Sequence, residues 1–206
     1  MSKIKNIVFD FGGVIIGVDR ESAVKAFREI GVKEADSLLG EYHQQGIFQD
    51  VEDGKVDAET FRKELSRICG KELTYKEVEN GWKGFITEVP QYKLDYLNEL
   101  RKKYKVYILS NTNPYVMGWA RSTDFTPAGK PLDAYVDKIY TSYEAGSTKP
   151  DRGIFDHMIK DSGLNPAETL FVDDGAANIT IGKELGFITL QPLNAEDWRE
   201  KLEKLL

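Results

Sequence analysis

The chain has 206 residues, 41% of them hydrophobic and 30% charged, which is enough for one domain, or a domain with a modest insertion, around a buried core. A formal net charge of −6 with no block of Lys or Arg argues against a nucleic-acid binder. The single cysteine, Cys69, excludes an internal disulfide framework, and no apolar run is long enough to span a membrane, so a cytoplasmic protein is expected.

The first predicted element is a buried strand over 4–9, which stops at Asp10 and is followed by Phe11, Gly12 and Gly13. A helix is expected after Asp19, an N-cap residue, through Val24, Phe27 and Ile30. No buried strand is legible over 33–86. Instead Asp57 caps a helix with Phe61, Leu65 and Ile68 at helical spacing, ending at Gly70, and Thr74 with Glu77 forms a capping box ahead of Val78 and Trp82. Pro90 is placed as the first residue of the next helix, with Leu94, Leu97 and Leu100 as its apolar stripe. Strands are then expected at 105–109, ending at Ser110, at 138–141, at 169–172, ending at Asp173, and at 187–190. Helices fall between them at 151–162, where Asp151 is expected to cap, and before Gly186, with a terminal helix at 195–204. The polar stretch 122–137 reads as an ordinary surface loop, with a flexible lid as the alternative.

Strands alternating with helices predict an α/β protein with a Rossmann-like, doubly wound parallel sheet. The helical stretch between the first strand and Pro90 predicts an inserted, all-helical cap. The expected boundaries are 1–16 and 88–206 for the core and 17–87 for the cap.

Ligands of open α/β sheets bind beyond the C-terminal strand ends. That rule gathers Asp10, Ser110-Asn111-Thr112, Asp173-Asp174 and Lys149 around one crevice. Three carboxylates suit a hard divalent cation, and an ammonium with hydroxyl and N–H donors suits a phosphate.

The order of these pieces resembles the haloacid dehalogenase superfamily of hydrolases, through Asp10-Phe11-Gly12-Gly13-Val14, Ser110-Asn111-Thr112, Lys149-Pro150-Asp151 and Phe171-Val172-Asp173-Asp174 with Asn178. The helical insertion is similar to the family's first cap type, and Asp53-Gly54-Lys55-Val56 resembles a cap turn that faces the active site in relatives. More narrowly, Ser110 to Asn113, the paired acids and the glycine after Phe11 are similar to a bacterial branch that includes an α-glucose-1-phosphate phosphatase.

The resemblance implies a Mg²⁺-dependent phosphatase acting on a small phosphorylated metabolite such as a hexose 1-phosphate. Asp10 would attack phosphorus and form an aspartyl-phosphate. Asp10, Asp173, Asp174 and the carbonyl of Gly12 would hold Mg²⁺. Ser110, the Asn111 N–H and Lys149 would hold the transferring phosphoryl oxygens, and Gly12 and Gly13 would let the backbone approach the ligand. Two unit charges at about 4 Å repel by roughly 4 kcal/mol at an effective dielectric near 20, so cationic help is required. The adjacent acids favour a metal-dependent phosphatase over a dehalogenase.

One position departs from the family pattern. Most phosphatases of the family carry a second Asp two residues after the nucleophile, where this chain has Gly12. A general acid–base group contributes about 10²–10⁴ in rate. Either the leaving group needs little help, as for an anomeric phosphate; or another group such as Asp19 or His43 stands in; or the protein is a slow or inactive binder of phosphorylated ligands. Trp82, Trp119 and Trp198 read as packing residues. Asn178 either orients the acids or faces the strand. Oligomeric state is not legible.

Overall fold

The computed structural model describes residues 4–40 and 42–206. Residues 1–3, counted in the expected core, and Glu41, counted in the expected cap, lie outside the described residues. The chain begins with β1 (Asn6–Phe9) and a short β2 (Gly17–Val18). Five helices follow: α1 (Arg20–Glu29), α2 (Ala35–Leu38), α3 (Ile47–Glu52), α4 (Ala58–Cys69) and α5 (Tyr75–Lys83). The expected caps are in place. Asp19 accepts from the Ser22 N–H, Asp57 accepts from the Thr60 N–H at 2.7 Å, and Thr74 and Glu77 bond reciprocally.

After β3 (Ile86–Glu88) come α6 (Gln91–Arg101), β4 (Lys105–Ser110), α7 (Pro114–Ala120), β5 (Lys138–Thr141), α8 (Ser142–Ala145) and α9 (Arg152–Ser162). The chain closes with β6 (Thr169–Val172), α10 (Ala176–Glu184), β7 (Ile188–Leu190) and α11 (Arg199–Glu203). Pro90 is the N-cap of α6 rather than its first residue, and Asp151 sits at the N-cap of α9 without a side-chain capping bond.

The five main strands form one sheet in the order β5-β4-β1-β6-β7, with every pair parallel. Successive side chains point to opposite faces, so each strand feeds two cores. Ile7, Phe9, Val106, Ile108 and Val172 face α6 and α11, through Leu94, Leu97 and Leu202. Val8, Leu109 and Phe171 face α9 and α10, through Ile154, Phe155, Met158 and Ile179. This is the Rossmann-like parallel sheet expected from the alternating pattern.

The helices between β2 and β3 have a core of their own. Phe27, Phe48, Phe61 and Trp82 meet edge-on or tilted, with centroids 4.9 to 5.8 Å apart, and Tyr115 from α7 joins them. Ile68, expected inward, is 52% exposed; in the last turn of α4 it is Cys69 that packs against this cluster. A two-stranded antiparallel ribbon, β2 with β3, joins the helices to the sheet and was not foreseen: Gly17 pairs with Glu88 and Val18 with Ile86. The turn after α3 is seated on α8. Gly54 has φ +70, and a Cβ there would lie 2.2 Å from the Tyr143 carbonyl oxygen.

Residues 122–137 form an anchored loop. Phe125 is buried against Phe11 and Trp119, and Thr126 closes the turn by bonding Lys130. No helix among the described residues is long and apolar enough to cross a membrane.

Candidate active site

β1 is flanked by β4 and β6, and here the strand order reverses, the place where ligands bind in such sheets. The three strands end level with one another. Ser110 closes β4, and the Asp10 N–H, just past β1, donates to the Val172 carbonyl at the end of β6. Asp10 and Asp173 are thereby delivered to the same edge.

Lys149 lies between them and is almost fully buried. Its Nζ donates to the Leu109 carbonyl at 2.8 Å and to Asp173 Oδ2 at 2.7 Å, and lies 3.0 Å from Asp10 Oδ1. These partners occupy all three N–H groups of the ammonium. Burial alone would lower the Lys149 pKa, but Asp10 and Asp173 outweigh it and raise it.

Asp173 is completely buried. Its Oδ1 accepts from the Gly175 N–H at 2.8 Å and from Asn178 Nδ2 at 2.9 Å, so Asn178 orients this acid. Asn111 uses its side chain on the lysine's backbone: Oδ1 accepts from the Lys149 N–H at 2.7 Å and Nδ2 donates to the Lys149 carbonyl at 2.8 Å. The Ser110 hydroxyl donates to the Asn111 carbonyl at 3.2 Å.

Asp10, Asp173 and Asp174 each offer a carboxylate oxygen within 4.8 Å of the others'. Burial pushes Asp10 up to about 8; Lys149 opposes this, and the charges of Asp173 and Asp174 add to it. Three carboxylates face one ammonium, so the cluster lacks positive charge. An all-oxygen donor set with that deficit fits a hard divalent cation. Gly13 takes φ +76, and a Cβ there would lie 2.3 Å from Asp174 Oδ2, so the turn's lack of a side chain is what lets this acid close on the strand end.

A cavity of about 420 Å³ opens over the cluster. Asp10, Gly12, Ser110, Asn111, Lys149 and Asp174 line its floor, and Glu52 and Trp82 from the helical layer line it too. Gly13 and Asp173 stand behind this lining. Trp82 also packs, as expected, yet its indole N–H is the one buried side-chain polar atom without a partner among the described residues.

Residues 4–186 match the model of the haloacid dehalogenase-like hydrolases. The chain belongs to that family. Among haloacid dehalogenase-like proteins, it is 59% identical over 203 residues, 98% of each chain, to a D-ribitol-5-phosphate phosphatase of Bacteroides thetaiotaomicron. A predicted HAD-like family hydrolase of Porphyromonas gingivalis superposes with TM-score 0.94 at 46% identity, over 99% of this chain and 98% of that one. A HAD family enzyme of Bacteroides thetaiotaomicron, crystallised with magnesium and inorganic phosphate, superposes with TM-score 0.87 at 36% identity, over 96% of this chain and 98% of that one.

Every site residue named from the sequence lies in or directly behind this one cluster. The two suggested stand-ins for the acid at position 12 fare differently: His43 lines the cavity but is exposed, whereas Asp19 is spent on capping α1 and does not line it. Asp53 of the cap turn binds Thr148, Gln49 and Lys55 rather than facing the cavity. Trp119 is buried away from the cavity against Phe125. Sequence reasoning passed over Glu52, whose signal is its position four residues after Phe48 on a short apolar helix face.

Proposed function

We propose that this chain is a Mg²⁺-dependent phosphatase of a small sugar or polyol phosphate, acting through Asp10. The observation that carries this reading is the convergence of Asp10, Asp174 and Lys149 on the floor of a cavity sized for a small metabolite. In this scheme Asp10 attacks phosphorus in line with the leaving oxygen and becomes an aspartyl-phosphate, which water then hydrolyses. The Ser110 hydroxyl and the Asn111 N–H take up the equatorial oxygens, and the Lys149 charge balances the growing negative charge on the opposite side. Asp10, Asp174 and the Gly12 carbonyl are the residues that would hold Mg²⁺. Asp173 is the fourth group foreseen, and its oxygens already serve Lys149, Gly175 and Asn178. Bound there, Mg²⁺ supplies the charge that offsets anion–anion repulsion and favours the carboxylate form of Asp10.

For the substrate, the 59% identical relative favours a primary ester of the D-ribitol 5-phosphate kind over the hexose 1-phosphate suggested by the narrower family resemblance. Trp82 lines the cavity, where its ring can pack against the carbon chain of the substrate. The helical layer over 17–87 serves as the cap that encloses the ester and excludes water. A single cysteine suits the reducing cytoplasm in which such metabolites occur.

The test is phosphate release from D-ribitol 5-phosphate, glucose 1-phosphate and 4-nitrophenyl phosphate, with Mg²⁺ or with EDTA. Turnover that needs Mg²⁺, prefers the ribitol ester and disappears in Asp10→Asn is expected. Equal release by wild type and Asp10→Asn would leave a binder of phosphorylated ligands as the better reading.

A further inference from the structure

A primary phosphate ester leaves as an alkoxide, which needs a proton, and Gly12 carries none. The titratable side chains lining the cavity are Asp10, Tyr42, His43, Glu52, Lys149 and Asp174. Asp10, Lys149 and Asp174 are committed to nucleophile, phosphate and cation. Tyr42 and His43 lie at the exposed rim, whereas Glu52 is only 6% exposed.

We propose that Glu52, reaching into the cavity from α3 of the helical layer, donates the proton to the leaving oxygen and then serves as the base for the attacking water; this rests on the phosphatase reading above.

Three features place it. Its neighbour Asp53 accepts a hydrogen bond from the hydroxyl of Thr148, the residue before Lys149, at 3.2 Å. The turn that follows is seated on the Tyr143 carbonyl at Gly54, so the end of α3 is held against the core, and Glu52 lines the same cavity as Asp10 and Lys149. Asn113 sets the direction of the carboxyl. Its Oδ1 accepts from the N–H groups of Tyr115 and Val116, both at 3.1 Å, which turns its Nδ2 toward Glu52. That donor needs one carboxyl oxygen as acceptor, and the second oxygen of the group can carry the proton. Burial pushes Glu52 up to about 8, with Asn113 opposing and the nearby Asp53 charge adding, so at neutral pH the group holds a proton to give.

The two steps balance. In the first, Asp10 Oδ bonds to phosphorus, the bond from phosphorus to the ester oxygen breaks, and that oxygen takes the Glu52 proton to leave as an alcohol. In the second, Glu52 takes a proton from water as the water oxygen attacks phosphorus. Asp10 is released as carboxylate, inorganic phosphate departs and Glu52 is protonated again.

Glu52→Gln, assayed with Mg²⁺ on D-ribitol 5-phosphate and on 4-nitrophenyl phosphate, separates this from a structural role. Turnover of the ribitol ester is expected to fall by about 10²–10⁴. The aryl ester, whose leaving group needs no proton, should release nitrophenolate in a fast burst near one equivalent per enzyme, then turn over slowly for want of the base. Ribitol turnover within threefold of wild type, or equal losses on both esters without a burst, overturns the proposal. Glu52→Asp, which keeps the acid, should show a smaller loss on the ribitol ester and no burst. If Glu52→Gln does not fold, this variant decides, with equal losses on both esters counting against. Wild type that turns over neither ester defeats the phosphatase reading and this proposal together. Active wild type with either overturning pattern defeats this proposal alone.

Discussion

The side-chain amide of Asn111 grips the backbone of Lys149 at two points, accepting from its N–H at 2.7 Å and donating to its carbonyl at 2.8 Å. The amide is a splint: it fixes where the lysine chain starts, and the lysine Nζ then reaches Leu109, Asp173 and Asp10. Asn111→Ala removes both bonds and is expected to cut kcat about 10²-fold, the scale on which a misplacement near 1 Å acts. Asn111→Asp keeps one bond and turns an acceptor toward the Lys149 carbonyl, so it should do no better. Steady-state kinetics on both variants, with thermal melts to confirm folding, checks this.

Lys149 keeps two carboxylates apart in a place with little water. Replacing it by Met strands Asp10 and Asp173 together, and the cation-free protein should lose about 3–5 kcal/mol of stability. Activity should fall by about 10³-fold. Adding Mg²⁺ should recover more stability in Lys149→Met than in wild type, because a cation then answers two unpaired acids. Denaturant melts of both proteins, with and without Mg²⁺, measure the difference.

Gly13 stands where a methyl group would meet Asp174 Oδ2 at 2.3 Å, on backbone with φ +76. Gly13→Ala is expected to cost about 1–3 kcal/mol in backbone strain. It also pushes Asp174 away from Asp10, so Mg²⁺ affinity should fall about 10- to 100-fold. Calorimetric titration with Mg²⁺ reads the second effect separately from the first.

Glu52 has its pKa pushed from 4.5 to about 8. Between those values the folded chain binds more protons at this position than the unfolded chain. The group's contribution to stability is therefore complete below pH 4.5 and is lost as pH rises toward 8, by at most about 1.4 kcal/mol per pH unit. Glu52→Gln has no such slope. Its stability relative to wild type should rise from pH 5 to pH 8, measured in EDTA by urea melts. Asp10, also raised, is common to both proteins and drops out of the comparison. A constant difference across that range would contradict the buried, protonated carboxyl.

Much of this was legible in the chain because it is local. Asp19, Asp57 and Thr74 cap helices through bonds to residues three places on. Strands such as Thr169–Val172 announce themselves as short apolar runs, and the acids that end them fall at the site by the geometry of parallel sheets. What was not legible is non-local. Lys93 reads as a surface residue on α6, yet it is fully buried, and its Nζ donates to the Val14 carbonyl at 2.8 Å, an oxygen that also accepts from Trp198 Nε1. Asn111 reads as the source of a backbone N–H for the phosphoryl group, and the task of its side chain shows only once Lys149 is folded back against it. Glu52 shares a helix face with Phe48, which points it inward, but only the fold brings Asn113 to it.

The ribbon formed by β2 and β3 gives the protein a particular modularity. Val18 and Ile86 are register partners, so residues 19–85 depart from and return to neighbouring positions, as the tip of a β-hairpin does. The whole helical layer is in that sense one oversized hairpin loop, and a loop with adjoining ends can be exchanged at small entropic cost. The nucleophile Asp10, Lys149 and the paired acids thus lie outside that loop while Glu52 lies within it, so exchanging the loop would leave the floor of the cavity in place and replace the acid proposed above.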